Sequence, residues 1–324
     1  RAVSEDKVNA VIASYISEVV LALQPWSSRL KTVLVTPGAA SDDITANIAK
    51  DYDRNKYTFQ GYPTSGAIAR MVCEAAKDLL VDGLKMKSAV IMSEDAAWTK
   101  PLDEGYAICL PAVGLKVLDH IRFSPDTTDF TPIFNKLEAL KPDVIITGIS
   151  HVGTQPTVQW KNQQVPIPMF GASSQATNSS FWNDTNGAAE GVCYQGVSGP
   201  DVAVTPRTLP FVNAFKAKYG NFPSYAGYTS YDEVYYIADA IVRAGSTDSD
   251  KLVEALEATD YVGTIGRVQF LPKGDPHVHG LRTGKGTITG LLLQWQNGKQ
   301  TNLWPPEIAN SKIEFPAFVK VGVN

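Results

Sequence analysis

The sequence predicts an α/β protein built on doubly wound parallel sheets, and three observations carry that prediction. Short continuous apolar runs, Ala89–Met92 and Val144-Ile145-Ile146 among them, lack polar alternation and read as strands covered on both faces. Each run ends in small or polar residues and is followed by a stretch with helical apolar spacing, a repeated β-loop-α order that implies right-handed crossovers. The length of 324 residues favours two domains over one.

Taken in order, residues 8–13 (VNAVIA) form a short strand, Ser14 to Ser17 a polar turn, and Glu18–Leu30 a helix. The strand Thr32–Thr36 ends in Pro37-Gly38-Ala39-Ala40-Ser41-Asp42, where small residues are expected to leave backbone N–H groups open to a ligand. Tyr57–Tyr62 reads as an extended connection. Thr64 or Ser65 then caps a helix with the stripe Ile68, Met71, Val72, Ala75, Ala76, Leu79, Leu80, stopped by Gly83. The strand Ala89–Met92 has Ser93 to Trp98 as its exposed end, and helix Leu102–Pro111 leads through Gly114 to strand Leu115–Ile121.

The stretch from Phe123 to Gly153 contains a whole unit. Thr128 and Asp129 are good N-caps, Phe130, Ile133, Phe134, Leu137 and Leu140 form one stripe, and Lys141-Pro142 stops the helix. The following strand ends in Gly148, Ile149, Ser150 and His151, at the end where open α/β sheets bind ligands. Residues 154–164 suggest a helix, Pro166–Phe170 a strand, and Gly171 to Ser174 its polar end. Gly191–Gly196 is strand-like and Ser198-Gly199-Pro200 a linker. Helices follow at Pro206–Tyr219, Tyr225–Ala244 and Asp250–Ala258. From Arg267 the texture is antiparallel, with Leu291–Trp295 and the Asn297-Gly298 turn making a hairpin.

Composition excludes several classes. With 29 basic residues against 33 acidic and a net charge of −4, no basic field favours nucleic acid or an anionic membrane. No apolar run approaches the ~20 residues of a membrane-spanning helix, and RAVSEDK is neither a secretion signal nor a transit peptide. Cys73, Cys109 and Cys193 are odd in number and far apart, so they read as structural thiols, without a disulfide framework or a C-x-x-C site.

An enzyme fits poorly. Gly148 to Gly153 follows a strand as a nucleophile elbow would, but one residue too many separates Ser150 from the second glycine. Arg282 to Thr287 places Gly286 where a phosphate loop needs a hydroxyl, His277 and His279 lack further metal ligands, and no G-x-G-x-x-G follows a strand. Neither cofactor nor metal is expected. An α/β hydrolase-like enzyme and a ligand-sensing ectodomain are the alternatives from other classes.

The segments VNAVIASYISEVV with Gln24-Pro25, VTPGAASDDIT, SEDAAWTKPL, TTDFTPIFNKLEALKPDVII and Glu190-Gly191-Val192, in this order, resemble the type I periplasmic solute-binding proteins of ABC importers, in the branched-chain amino acid (Leu/Ile/Val) group. The resemblance implies two Rossmann-like lobes joined by three hinge strands, near Gly61, Val197 and Thr287. Lobe 1 is then 1–61 and 198–286, and lobe 2 is 62–197 and 287–324. It also implies a monomer outside the cytoplasm, in the periplasm or anchored to the cell surface, that closes on a small molecule and presents it to a membrane permease. Family members carry a strand-helix-strand-helix block before the element matching VNAVIA, roughly 60 residues at about 30 per βα unit, so the sequence reads as trimmed, with exposed sheet edges in lobe 1.

The resemblance also implies the ligand contacts. Ser17 and the backbone at Gly38 and Ala40 match positions that hold a ligand carboxylate, and Ser41 is a candidate to replace the hydroxyl lost at Ala40. Ser17 also reads as a helix N-cap. Trp98 matches an aromatic residue over the ligand, Ser150 and His151 approach it from their strand end, and Tyr225 and Tyr228 add an aromatic wall. Tyr231, Tyr235 and Tyr236 read as core, and Asp232 as structural. Ser173 matches the acidic residue that pairs an α-ammonium. An uncharged serine cannot supply that pair, so an organic acid, including an aromatic one, or a neutral amide is favoured over leucine, with a branched-chain amino acid as the alternative.

Overall fold

The computed structural model describes residues Arg1–Val321; residues 322–324 of the expected second lobe lie outside the described residues. The chain divides into two compact units. The first comprises Arg1–Ala67, Val204–Phe211 and Tyr225–Thr289, and the second Ile68–Ala203, Val212–Ser224 and Gly290–Asn324.

The first unit begins with β1 (Ala10–Ile12), α1 (Ser17–Leu30), β2 (Val33–Thr36), α2 (Asp42–Lys50), α3 (Tyr52–Asn55) and β3 (Thr58–Gln60). The strands form a parallel sheet in the order β1-β2-β3, with Val11 opposite Leu34 and Val35 opposite Phe59. The connection expected at Tyr57–Tyr62 is therefore a paired strand. Helix α1 contains Pro25 and ends on Lys31 in the left-handed conformation. Helix α2 has no counterpart in the sequence reading, because only Ile44, Thr45 and Ile48 are buried on its nine residues. It is set by its start: the Ser41 side chain accepts the Asp43 N–H, and Asp42 and Asp43 lie in the positive first turn.

Helix α4 (Ser65–Ala76) runs on as a π-helical turn, Lys77–Gly83, and leads into the second unit. There β4 (Ser88–Glu94), α5 (Thr99–Val113), β5 (Lys116–Phe123), α6 (Thr131–Leu140), β6 (Val144–Ile149), α7 (Gln155–Asn162), β7 (Met169–Ser173), α8 (Phe181–Asp184) and β8 (Cys193–Gly196) follow. Helix α9 (Thr208–Tyr219) passes from one unit to the other. Next come α10 (Tyr225–Ala244), α11 (Ser249–Glu257) and the short antiparallel pair β9 (Tyr261–Val262) and β10 (Arg267–Val268), then β11 (Leu291–Gln296) and β12 (Lys299–Trp304).

The second unit's sheet has seven strands in the order β12-β11-β8-β7-β6-β4-β5. Strands β4 to β8 are parallel, and the expected hairpin β11-β12 adds its strands antiparallel. Phe130, Phe134 and Leu137 of the predicted stripe pack with Val90, Met92 and Ile145 of the sheet and with Trp160, whose indole N–H donates to the Ile167 carbonyl. Lys141 closes α6 in the left-handed conformation ahead of Pro142.

The three cysteines are not all free structural thiols as expected. Cys73 on α4 and Cys109 on α5 form a disulfide, with Cα atoms 6.0 Å apart, and Cys193 on β8 is a buried free thiol. A separation of 36 residues along the chain hid two helices whose cysteines meet in the fold.

In the first unit, His279 is buried and stacked on Phe59 at 3.9 Å, with its ring nitrogens on the Thr58 carbonyl and Glu257. It packs the core. Asp232 accepts the Thr264 N–H and hydroxyl, the structural role expected of it. Tyr236 is buried, but Tyr231 and Tyr235 are not core: they lie 36% and 48% exposed and pack on one another. A helix face repeats every 3.6 residues, so tyrosines one position apart cannot all face inward.

Candidate functional site

In the first unit the candidate contacts gather at the carboxyl end of β2. Ser17 opens α1, and its hydroxyl accepts the N–H groups of Ala40 at 3.2 Å and Ser41 at 3.1 Å. The Ala39 N–H goes to the Thr36 hydroxyl. Three of the N–H groups expected to be open are thus spent inside the turn. Ser17 is not an N-cap, since Ile16 holds that position without a side-chain bond. Its hydroxyl has still one proton to donate, and that proton is what it can offer a ligand. Ser41 caps α2 and is fully buried, and Ala40 accepts from Ser65 through its carbonyl.

Gly38 admits no side chain. A Cβ there would lie 2.7 Å from both the Tyr15 Cβ and the Tyr225 ring. Tyr225, at the start of α10, packs on Tyr62 at 5.0 Å, and burial pushes both phenols well above their usual range. One turn on, the Thr229 hydroxyl donates to the Pro37 carbonyl and ties α10 to the same strand end. Tyr228, expected in the wall beside Tyr225, is buried and packs on Phe211.

In the second unit β4, β6 and β7 end side by side, because Ser93 pairs with Gly148 and Ile149 with Ser173. Glu94, the last residue of β4, is fully buried and ties the β4 end to the β6 end. Its Oε1 accepts the Trp98 indole N–H at 3.0 Å and lies 2.7 Å from His151 Nδ1. Its Oε2 accepts the N–H groups of Ser150 at 2.9 Å and Val152 at 3.1 Å. Burial pushes this carboxyl up, but the His151 imidazole and the backbone N–H groups outweigh it and hold the group below its ordinary value. Trp98 is buried and the His151 side chain 29% exposed. The Ser174 hydroxyl donates to that of Ser150, and Gln175 to the Ser150 carbonyl. Ser173 is 4% exposed, and its hydroxyl accepts the Ala176 N–H.

Of the residues expected from the sequence, Ser17, Gly38, Ala40, Ser41 and Tyr225 gather at the end of β2 in the first unit, and Trp98, Ser150, His151 and Ser173 at the ends of β4, β6 and β7 in the second; Glu94 and Thr229 were missed. Glu94 had a signal: an acidic residue directly after the apolar run of β4, four positions before Trp98. A groove of about 770 Å³ lined by Trp26, Arg29, Arg54 and Lys56 lies at the amino ends of β2 and β3, away from these contacts. Among the described residues no three His, Cys, Asp or Glu side chains gather as a metal site, and no helix is long and apolar enough to cross a membrane.

A family model described as periplasmic binding protein matches residues 1–287. The Leu/Ile/Val-binding protein homolog 8 of Brucella abortus is 24% identical over 332 residues, covering 97% of this chain and 78% of that protein. A solute-binding protein of an ABC transporter from R. palustris, solved in complex with benzoate, superposes with a TM-score of 0.78 at 18% identity, over 98% of this chain and 81% of that one. The branched-chain amino acid transporter substrate binding protein of Streptococcus pneumoniae, solved with isoleucine, gives 0.78 at 18% identity, over 94% and 82%. With the repeated β-loop-α units and the polar strand ends, these likenesses agree on one assignment: the chain belongs to the periplasmic binding protein family.

Proposed function

We propose that the protein is the extracytoplasmic solute-binding component of an ABC importer, and that it carries a small carboxylate-bearing or amide ligand other than a standard α-amino acid, without turnover. The observation that carries the choice of ligand is that, among the described residues, no spare acid lies at the second unit's strand ends. Ser173 is neutral, Glu94 is spent on four donors, and Asp95 pairs with Arg122. An α-ammonium placed there would be buried without a counter-ion, at a cost of several kcal/mol. A planar organic acid has no such group and suits the Trp98 ring. The Cys73–Cys109 disulfide supports an oxidising compartment.

The second reading, a branched-chain amino acid, is favoured by the name of the Brucella abortus relative. Calorimetric titration with benzoate and with leucine decides between them. Benzoate is expected to bind the more tightly of the two, and a sub-micromolar leucine Kd beside weak benzoate binding would overturn the ligand assignment.

A further inference from the structure

Glu94 has an unusual position for a carboxylate. It is fully buried, so it cannot itself meet a solute, yet both its oxygens are used by groups that belong to two different strand ends. Oε1 takes the indole of Trp98 from the β4 end and the imidazole of His151 from the β6 end. Oε2 takes two backbone N–H groups, of Ser150 and Val152, and so fixes the loop that carries the imidazole. An oxygen of an ionised carboxylate can only accept. His151 Nδ1, 2.7 Å away, must therefore carry the proton of that bond, which leaves Nε2 as the nitrogen on the far edge of the ring.

We propose that Glu94 is the positioning residue for the solute in this unit: it holds the Trp98 ring and the His151 imidazole as one rigid pair, with the Nδ1 proton of His151 directed to Glu94, matched to a planar aromatic acid. The inference deepens the carrier reading and rests on it for the presence of a solute at these strand ends. The flat indole supplies a face for an aromatic ring, and the imidazole, when both its nitrogens carry protons, donates from Nε2 to the carboxylate and so sets the ring's direction. A carboxylate is needed at position 94 because all its bonds are received. The amide introduced by Glu94→Gln would turn an NH2 toward at least one N–H group, so two donors would face each other and the loop or the indole would have to give way.

The test compares wild-type protein with Glu94→Gln and Trp98→Phe, each first shown to be folded by its thermal melt. Nitrogen-15 NMR of the imidazoles reads the His151 tautomer without ligand, and calorimetry reads benzoate binding. Expected are an Nδ1-protonated His151 in the wild type, loss of that preference in E94Q, and about tenfold weaker benzoate binding in E94Q. W98F keeps the His151 tautomer but weakens benzoate, because the phenyl ring has no N–H to anchor it to Glu94. If E94Q does not fold, W98F carries the affinity arm alone and wild-type NMR the tautomer arm. An unchanged benzoate Kd in both variants, or in W98F alone where E94Q is unfolded, overturns the positioning role and leaves the carrier reading standing. Wild-type protein that binds neither benzoate nor leucine overturns the carrier reading, and a wild-type His151 with no proton on Nδ1 overturns the positioning role whatever is carried.

Discussion

Glu233 shows most sharply how a single residue in this protein depends on its surroundings. It is fully buried on α10, and neither carboxylate oxygen has a hydrogen-bond partner among the described residues. Burial raises its pKa well above the ordinary carboxylate range. Next to it Asp232 is pushed up to about 6, again by burial, although Thr264 pulls it down. For both groups the folded state holds its proton at a pH where the unfolded chain has released it. Their contribution is therefore full below the unfolded value of roughly 4 and is lost as pH rises through the folded value. Glu233→Gln keeps the neutral form at every pH. Urea midpoints should be nearly equal for E233Q and wild type at pH 4 and higher for E233Q at pH 8, with the fall between pH 4 and about 6 that Asp232 causes remaining in both. Equal midpoints at both pH values would sink this account.

Gly61 is the partner of that buried acid. A Cβ there would lie 2.0 Å from Glu233 Oε1 and 2.9 Å from the Tyr236 hydroxyl, so Gly61→Ala should cost about 1–3 kcal/mol. The cost should shrink in the double variant with Glu233→Ala, read by the same urea midpoints. None of this was legible in the sequence, where Glu233 is one polar residue in a tyrosine-rich helix. Ser17, Gly38, Trp98 and His151 were easier to place, since each sits beside an apolar run whose end was already marked. What each touches was not, because Glu94 bonds Ser150 and Val152, which are 56 and 58 residues away.

At the scale of elements, the sequence described best whatever has a long period or a strong stop. The stripes of α4 and α6, the full length of α10 and the β11-β12 hairpin were readable, because many residues repeat one signal. Short elements such as β3 and α2 were not, since three buried strand residues or one capping serine say little without their neighbours. The disulfide between α4 and α5 belongs to the same class of non-local facts. It closes a separation of 36 residues, and loop-closure entropy puts its effect at about 4 kcal/mol as an upper figure. Replacing Cys73 and Cys109 together by serine should lower stability by about 2–4 kcal/mol, and reducing agent should bring the wild type to the same level. A reductant that leaves the wild-type melt unmoved would contradict the pairing. Cys193, buried in β8, should stay unreactive to thiol reagents until the protein unfolds, since burial pushes its thiol far above the usual range.

At the scale of the whole molecule, each unit builds its own main sheet, three parallel strands in the first and seven mixed strands in the second. Each also has its own buried residues and its own polar strand end, so each can unfold as a unit, and calorimetry should resolve two transitions. The disulfide and the buried acids identify them. Removing the Cys73–Cys109 bond acts on the second unit and should move one transition; the pH change that charges Asp232 and Glu233 acts on the first and should move the other. A solute then reports on its own contacts. Bound only to the folded form, it stabilises what it touches by RT ln(1 + [L]/Kd), about 2.7 kcal/mol at a hundredfold excess over Kd. A solute held at Trp98 and His151 alone raises only the transition that the disulfide variant lowers. One held at Ser17 and Tyr225 raises the other transition, and benzoate is expected to raise at least the one that the disulfide variant lowers. A benzoate effect confined to the first unit's transition would exclude Trp98 and His151 from the site, and the ligand assignment with them.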